Sequence, residues 1–198
     1  MGRRAIVEIR KEEIVRAFFE VLSKKGYAKA TIREVADAAG CNHGMLHHYF
    51  ESKKAIIEAV VDHVMTVYKA ELLEGLSQYD SAEDRIRYVI SWFCDLDRFN
   101  LEFSRAWIEF WVLSKSEPAV AAALQGCYRE IREILADIIR DGMKRNEFRT
   151  VNPMVAANVI MASLEGSTML WVVDTEKTPV KEVGKQIGDM VAGYLTKR

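Results

Sequence analysis

The sequence predicts an all-α fold, a three-helix head carrying a helix-turn-helix followed by a helical-bundle body. Three observations carry this. Apolar residues recur at i, i+3, i+4 and i+7 along most of the chain, and no stretch shows the period-2 alternation or valine–threonine enrichment of a sheet. Proline occurs only at 118, 153 and 179, each where a helix should begin. Capping residues and glycines mark the starts and stops between the periodic segments.

The first helix is expected over residues 7–25, with Ile14, Ala17, Phe18, Val21 and Leu22 as its buried stripe and Gly26 closing it. Thr31 caps the second, and Glu34 stands three positions on, the spacing of a reciprocal capping box. Ile32, Val35, Ala36 and Ala39 form its apolar face, and Gly40 ends it because glycine takes the left-handed conformation at little cost. Asn42 caps a third helix, on which Leu46 and Phe50 turn into the head's core. Ser52 caps a long fourth helix over 53–76, with Ile56, Val60 and Val64 along one face, which joins head to body.

Ser81 and Asp84 start a fifth helix near Ala82, whose core face is Ile86, Val89, Ile90 and Phe93. A sixth is expected over 101–114, a seventh over 118–145, an eighth over 153–173 and a ninth from 179 to the end. Asn152-Pro153 and Thr178-Pro179 each pair a capping residue with proline at the first helical position. The expected domains are 1–52, a helix-turn-helix DNA-binding head, and 53–198, a ligand-binding and dimerisation body.

The 198 residues are 49% hydrophobic and 29% charged, the balance of an ordinary soluble globule. No apolar run approaches the ~20 residues needed to cross a bilayer, and Glu8, Glu12 and Glu13 follow the N-terminal arginines too closely for a signal peptide. Cys41, Cys94 and Cys127 are odd in number and fit no metal-ligand spacing, which reads as reduced thiols in a cytoplasmic protein without metal or cofactor. The net charge of −1 hides a division: residues 1–54 carry 11 Lys/Arg against 7 Asp/Glu, and the remainder 17 against 22. A basic head on an acidic body points to an anionic partner for the head alone.

Two short helices joined by a glycine turn are the arrangement that places the second helix in the DNA major groove. On that helix Gly44 lets backbone approach another surface closely, and the helix N-terminus with Lys53 and Lys54 nearby suits phosphates. His43 and His47 are four apart and would share a face for a metal, but no Cys, Asp or Glu completes a set within the motif. The bland alternative for His47 and His48 is a pair of half-exposed polar residues on a surface helix. Cys41 in the turn would pack under the helix as a small apolar residue.

Thr31-Ile-Arg-Glu-Val-Ala, Ala39-Gly40, Gly44-x-Leu46 and Tyr49-Phe50-x-x-Lys53 resemble the DNA-binding head of the tetracycline-repressor (TetR) family over residues 10–60. The resemblance implies a homodimeric transcriptional regulator, most often a repressor released from double-stranded operator DNA by a small-molecule inducer, and no enzyme. It places Thr31, Arg33, Asn42, His43, Gly44, Met45, His47, His48, Tyr49 and Lys53 where family members contact DNA. His43 stands where lysine is common in the family and His47 where tyrosine is common. An activator or a ligand-independent DNA binder shares the same head. A small-molecule binding protein or enzyme with an incidental motif would need a catalytic set, and none is present in the sequence.

In the body, Phe103, Trp107, Phe110 and Trp111 form an aromatic stripe on the sixth helix, and Met161, Met169 and Trp171 add to it from the eighth. Ordinary core packing explains such residues, and so does a large apolar ligand pocket. Glu165 has no basic neighbour in its own helix, so it either lies at a surface or interface rim or faces the pocket and pairs with a cation. Arg105-Ala-Trp-Ile-Glu-Phe-Trp-Val, Glu117-Pro118 and Leu164-Glu-Gly-x-x-x-Leu170-Trp171 resemble the body of choline-responsive BetI-type repressors over about 105–172. That resemblance implies a related body, and a cation held by aromatic faces would suit its residue types.

The last two helices read as a pairing surface. Val155, Val159, Ala162, Gly166, Met169 and Val173 repeat at helical spacing on the eighth, where Ala156, Ala157, Ser163 and Ser167 leave room for close approach. Val183, Ile187, Met190 and Tyr194 form a stripe on the ninth beside Gly184 and Gly188. A two-fold homodimer through a four-helix bundle would bury both stripes.

Overall fold

Each expected helix forms, and the starts of α2, α3, α5 and α8 follow the capping chemistry. A computed structural model describes residues 3–27 and 29–196, with the side chains of residues 3–6 and 43 outside the described set. The helices are α1 (Arg3–Lys25), α2 (Ile32–Ala38), α3 (His43–Tyr49), α4 (Lys53–Leu76), α5 (Ala82–Phe93), α6 (Leu101–Leu113), α7 (Pro118–Lys144), α8 (Pro153–Val173) and α9 (Val180–Leu195). No strand forms among the described residues. α1 begins before the expected residue 7, since no helix breaker separates Arg3 from Val7.

The chain divides into two compact units, Met1–Tyr68 with Arg105–Gln125, and Lys69–Ser104 with Gly126–Arg198. The division departs from the expected boundary at 52/53. Tyr27 and Lys54 are bonded to Glu109 and Glu117, so part of α6 and the start of α7 group with the head.

In the first unit α1 packs on α2 and α3, and α2 on α3. The expected stripe of α1 is buried, and Phe18 is wholly enclosed. Val35 and Ala36 from α2, Leu46 and Phe50 from α3, and Ile56, Ile57, Val60 and Val61 from α4 are buried too. Each such large side chain contributes about 1.5–3 kcal/mol relative to exposure. Gly26 and Gly40 take φ of +75° and +63°, the left-handed region where a Cβ is strained.

In the second unit α5 packs on α9, α9 on α8 and α5 on α8. Ser81 caps α5 by accepting from the Asp84 N–H at 3.0 Å, and Glu147 accepts from the Ala82 N–H at 2.6 Å. Asn152 accepts from Met154 and Val155, with Pro153 in the first turn as expected. α9 departs from expectation: Pro179 occupies the cap position and no side chain caps the helix, so Thr178 does not do what Asn152 does. The Arg149 N–H donates to the Leu195 carbonyl at 2.8 Å, tying the end of α9 to the α7–α8 connection.

Two inward–outward assignments and one expectation about hydropathy are corrected. On α5 Trp92 is buried and Phe93 half-buried, because the helix ends at Phe93 and Cys94 takes over the inner position. Gly184 and Gly188 are buried against α5, and Ala156, Ala157 and Ser167 are also buried, so these small residues admit neighbours inside the unit and not a partner outside. Finally, α8 has the length and apolar composition of a membrane span, contrary to the expectation of no such run. Its inner face is buried in the unit, and its outer face is apolar as well, which raises its hydropathy.

Candidate nucleic-acid interface and ligand site

The head's outer face is built from the helix ends upward. The Thr31 hydroxyl accepts from the Glu34 N–H at 3.2 Å, and Glu34 accepts from the Thr31 N–H at 3.0 Å, completing the capping box. Lys25 donates to Glu34 at 2.6 Å. That bond, with those from Thr31, holds the Glu34 carboxyl down at about 2. Asn42 accepts from the Met45 N–H at 2.7 Å and so fixes where α3 starts.

With Leu46 and Phe50 turned inward, α3 presents Gly44, Met45, His47 and His48 to solvent, with Tyr49 half-buried. Tyr49 stands edge-on to His48, ring centroids 5.5 Å apart. A Cβ at Gly44 would meet only Asn42, so nothing in the unit's packing demands glycine there. Thr31, Arg33 and Asn42 are exposed beside this face. The His43 side chain lies outside the described residues. Lys53 is placed differently from a simple surface cation. Its ammonium donates to the Tyr27 carbonyl at 2.6 Å and lies 3.7 Å from the centroid of the Tyr27 ring. Burial pushes that ammonium down, with Glu34 opposing. The Cys41 thiol is pushed up by burial, so it is held as a thiol at neutral pH.

The candidate pocket residues divide between the two units. Trp107, Phe110 and Trp111 belong to the first, where Phe110 is wholly buried and Trp107 stands edge-on to it at 5.9 Å. Phe103, Met161, Glu165, Met169 and Trp171 belong to the second. Phe103 lies edge-on to Phe99 at 5.1 Å, and Met161 and Trp171 are buried. Met169 is 40% exposed and belongs to the outer face of α8, because its helical phase is that of Val155 and Val159.

Glu165 is a desolvated carboxylate. Burial pushes its carboxyl up, and a hydrogen bond from Tyr128 opposes the shift. Its charge and that of Glu130 add to burial in pushing the Cys127 thiol up to about 12. Tyr128 was not anticipated from the sequence, since it stands 37 residues away on another helix and no spacing marks it.

The outer faces of α8 and α9 carry Val155 and Val159, each 58% exposed, with Val173 at 87%, Met190 at 72% and Tyr194 at 51%. A groove of about 400 Å³ runs between them, lined by Val155, Val159, Ile187, Met190 and Tyr194.

A capped helix-turn-helix in an all-helical chain defines a DNA-binding transcriptional regulator. Residues 14–60 match the bacterial regulatory proteins of the tetR family, and residues 82–196 match the C-terminal part of BetI-type transcriptional repressors. The second match covers more than half of the chain, and the chain belongs to the tetR family, with a body of BetI type. It is 28% identical over 126 residues to the HTH-type transcriptional regulator BetI of Stenotrophomonas maltophilia, covering 61% of this chain and 62% of that protein. It is 24% identical to BetI of Escherichia coli O157:H7 over 85% of this chain and 90% of that one. Among solved structures, a transcriptional regulator from Saccharomonospora viridis crystallised with choline shares the fold. Its TM-score is 0.86 at 18% identity, over 95% of this chain and 98% of that one.

Proposed function

We propose that this regulator is a cytoplasmic homodimer that represses from a pseudo-palindromic operator and leaves it when a small organic cation binds the body. The observation that carries the reading is the solvent-exposed outward face of α3, with Met45, His47 and His48, behind two capped helix starts. Met45, His47, His48 and Tyr49 would reach base edges. Thr31, Arg33, Asn42, His43 and Gly44 would hold phosphates and fix register, and Lys53, its ammonium held at the Tyr27 carbonyl, would add positive charge nearby. A dimer through the outer faces of α8 and α9 would cover their exposed apolar stripe and present two α3 helices to half-sites about 34–36 Å apart.

The cation is inferred from Glu165. A desolvated carboxylate bonded to a phenol, with no basic partner among the described residues, gains most from an organic cation that brings its own apolar surface. Choline in the Saccharomonospora regulator is such a ligand. Phe103, Met161 and Trp171 supply apolar and aromatic surface in the same unit, and Trp107, Phe110 and Trp111 are the aromatic candidates of the other. Ligand shifts the protein off DNA only as far as it favours the DNA-incompetent state, and α4, unbroken from Lys53 to Leu76, carries the change along the chain.

The test is fluorescence anisotropy on DNA immediately upstream of the protein's own reading frame, at stated salt, with and without choline. Binding that resists competitor DNA, weakens on Tyr49→Ala and is reversed by choline supports the whole reading. Specific binding indifferent to choline and to related quaternary ammonium compounds removes the cation. Binding no tighter than to random DNA, there and in an unbiased selection of sites, removes the operator.

A further inference from the structure

We infer that the cleft between α5 and α9 is a second binding site, for a small organic anion with an apolar or aromatic body. The cleft is open to solvent and has a volume of about 520 Å³, the size range of small-molecule sites. Its floor is apolar, with Ile90, Trp92 and Cys94 all buried on the α5 side.

The lining carries four cations and one carboxylate, and because Glu71, Glu83 and Asp189 pair with the arginines from outside the lining, the unpaired positive charge among the described residues is that of the two lysines. Arg87 and Arg98 stand on one wall, Lys181 and Lys185 on the other, and Asp95 is the one carboxylate among the described lining residues. Asp95 is already bonded to Arg98 at 2.7 Å, and Glu71 holds the same guanidinium at 3.0 Å. Arg87 is bonded to Glu83 at 2.9 Å and Asp189 at 2.8 Å. Each arginine thus spends Nε and Nη1 on carboxylates, and among the described residues none accepts from Nη2. Lys181 and Lys185 are one helical turn apart, exposed, and in no ion pair among the described residues. Like charges at i and i+4 repel by a few tenths of a kcal/mol. An anion between them relieves that repulsion and collects the two spare guanidinium donors.

The glycines of α9 make the space. A Cβ at Gly184 would overlap the Cys94 sulfur, so that glycine sets how closely α9 approaches α5. A Cβ at Gly188 would meet only Arg87 Nη1, at 3.5 Å, so a side chain there would grow into the cleft. The site is opposite in charge preference to Glu165, and its ligand is therefore of a different class from the cation proposed above.

The test uses the full chain and isothermal titration with naphthalene-1-sulfonate, with uncharged naphthalene-1-methanol as the control. The expected result is one sulfonate bound per chain, at least about tenfold tighter than the alcohol and weakening with salt. Lys181→Gln with Lys185→Gln should weaken the sulfonate about tenfold while leaving the alcohol unchanged. Gly188→Leu should block it with the circular dichroism spectrum retained. Equal binding of alcohol and sulfonate, or sulfonate binding that survives the lysine pair's replacement, overturns the assignment. Should Gly188→Leu fail to fold, the lysine variants decide alone, since both positions are solvent-exposed.

Discussion

The backbone N–H of Tyr27 donates to the Glu109 carboxylate at 3.3 Å, joining residues 82 apart in sequence. Tyr27 is also where Lys53 anchors, so the α1–α2 turn, the start of α4 and the middle of α6 meet at one residue. Nearby in the same unit, Lys54 pairs with Glu117 at 3.1 Å. The bond to Glu109 is partly buried and charge-assisted, so it outweighs the more exposed Lys54 pair. Glu109→Ala is expected to destabilise the protein by about 1 kcal/mol, and Lys54→Ala by under about 0.5 kcal/mol, in urea unfolding followed by circular dichroism. Equal effects of the two would show that Tyr27 is not the anchor.

The capping box gives a prediction about the DNA-reading element itself. Thr31→Ala removes the acceptor for the Glu34 N–H and should cost about 1 kcal/mol of head stability. It should also weaken operator binding in the anisotropy assay, because α2 supports α3. The Glu34 carboxyl is depressed in the folded state to about 2 by Lys25 and Thr31. Its contribution is therefore present above the ordinary carboxylate range near 4.5 and is lost as pH falls toward 2. A carbon-detected NMR titration of Glu34 should show a midpoint near 2, moving upward in Lys25→Ala. A wild-type midpoint in the ordinary range would mean that the Lys25 and Thr31 bonds are absent in solution.

What was legible follows from the range of the interactions. The α2–turn–α3 element was readable because Thr31, Glu34, Gly40 and Asn42 act on backbone within three residues of themselves. The start of α8 was readable for the same reason, through Asn152. Thr178-Pro179 looks identical locally, yet Pro179 falls at the cap, since α9's entry is set by packing Val180 inward. The outward row of α8 was correct in phase, whereas Gly184 and Gly188, expected beside the pairing stripe of α9, pack inward. Small residues mark close approach but not which neighbour approaches, and here that neighbour is α5. Glu165 was singled out by its lack of local cations, but its partner Tyr128 belongs to another helix and left no trace in spacing.

The outer stripe of α8 and α9 predicts a dimer that one charge can break. Val159 and Met190 are 58% and 72% exposed beside the apolar groove. In a two-fold dimer, Val159→Glu places two carboxylates in a buried apolar contact, a cost of several kcal/mol. Analytical ultracentrifugation at micromolar protein should find wild type dimeric and Val159→Glu monomeric, with Met190→Glu weakened. The monomer should keep its helical circular dichroism and lose operator affinity, because two linked heads bind more tightly than one. A dimer unaffected by both substitutions would place the interface on another surface.

Glu165 predicts opposite responses of stability and ligand binding to one substitution. Its carboxyl is raised in the folded state by burial, so the folded protein favours the protonated form. Stability is then highest below the ordinary carboxylate range and declines as pH rises through the raised value. Glu165→Gln keeps the shape without the charge, so it should melt higher than wild type at pH 8 and show a flatter dependence on pH. Tyr128→Phe removes the donor that favours the carboxylate, so it should melt lower than wild type at pH 8. An organic cation lowers the cost of the buried charge by pairing with it. Choline should therefore raise the melting temperature of wild type at pH 8 and leave Glu165→Gln nearly unchanged, with affinity reduced about tenfold or more by calorimetry. Equal choline stabilisation of both proteins would mean that Glu165 is a buried structural carboxylate and the cation binds without it.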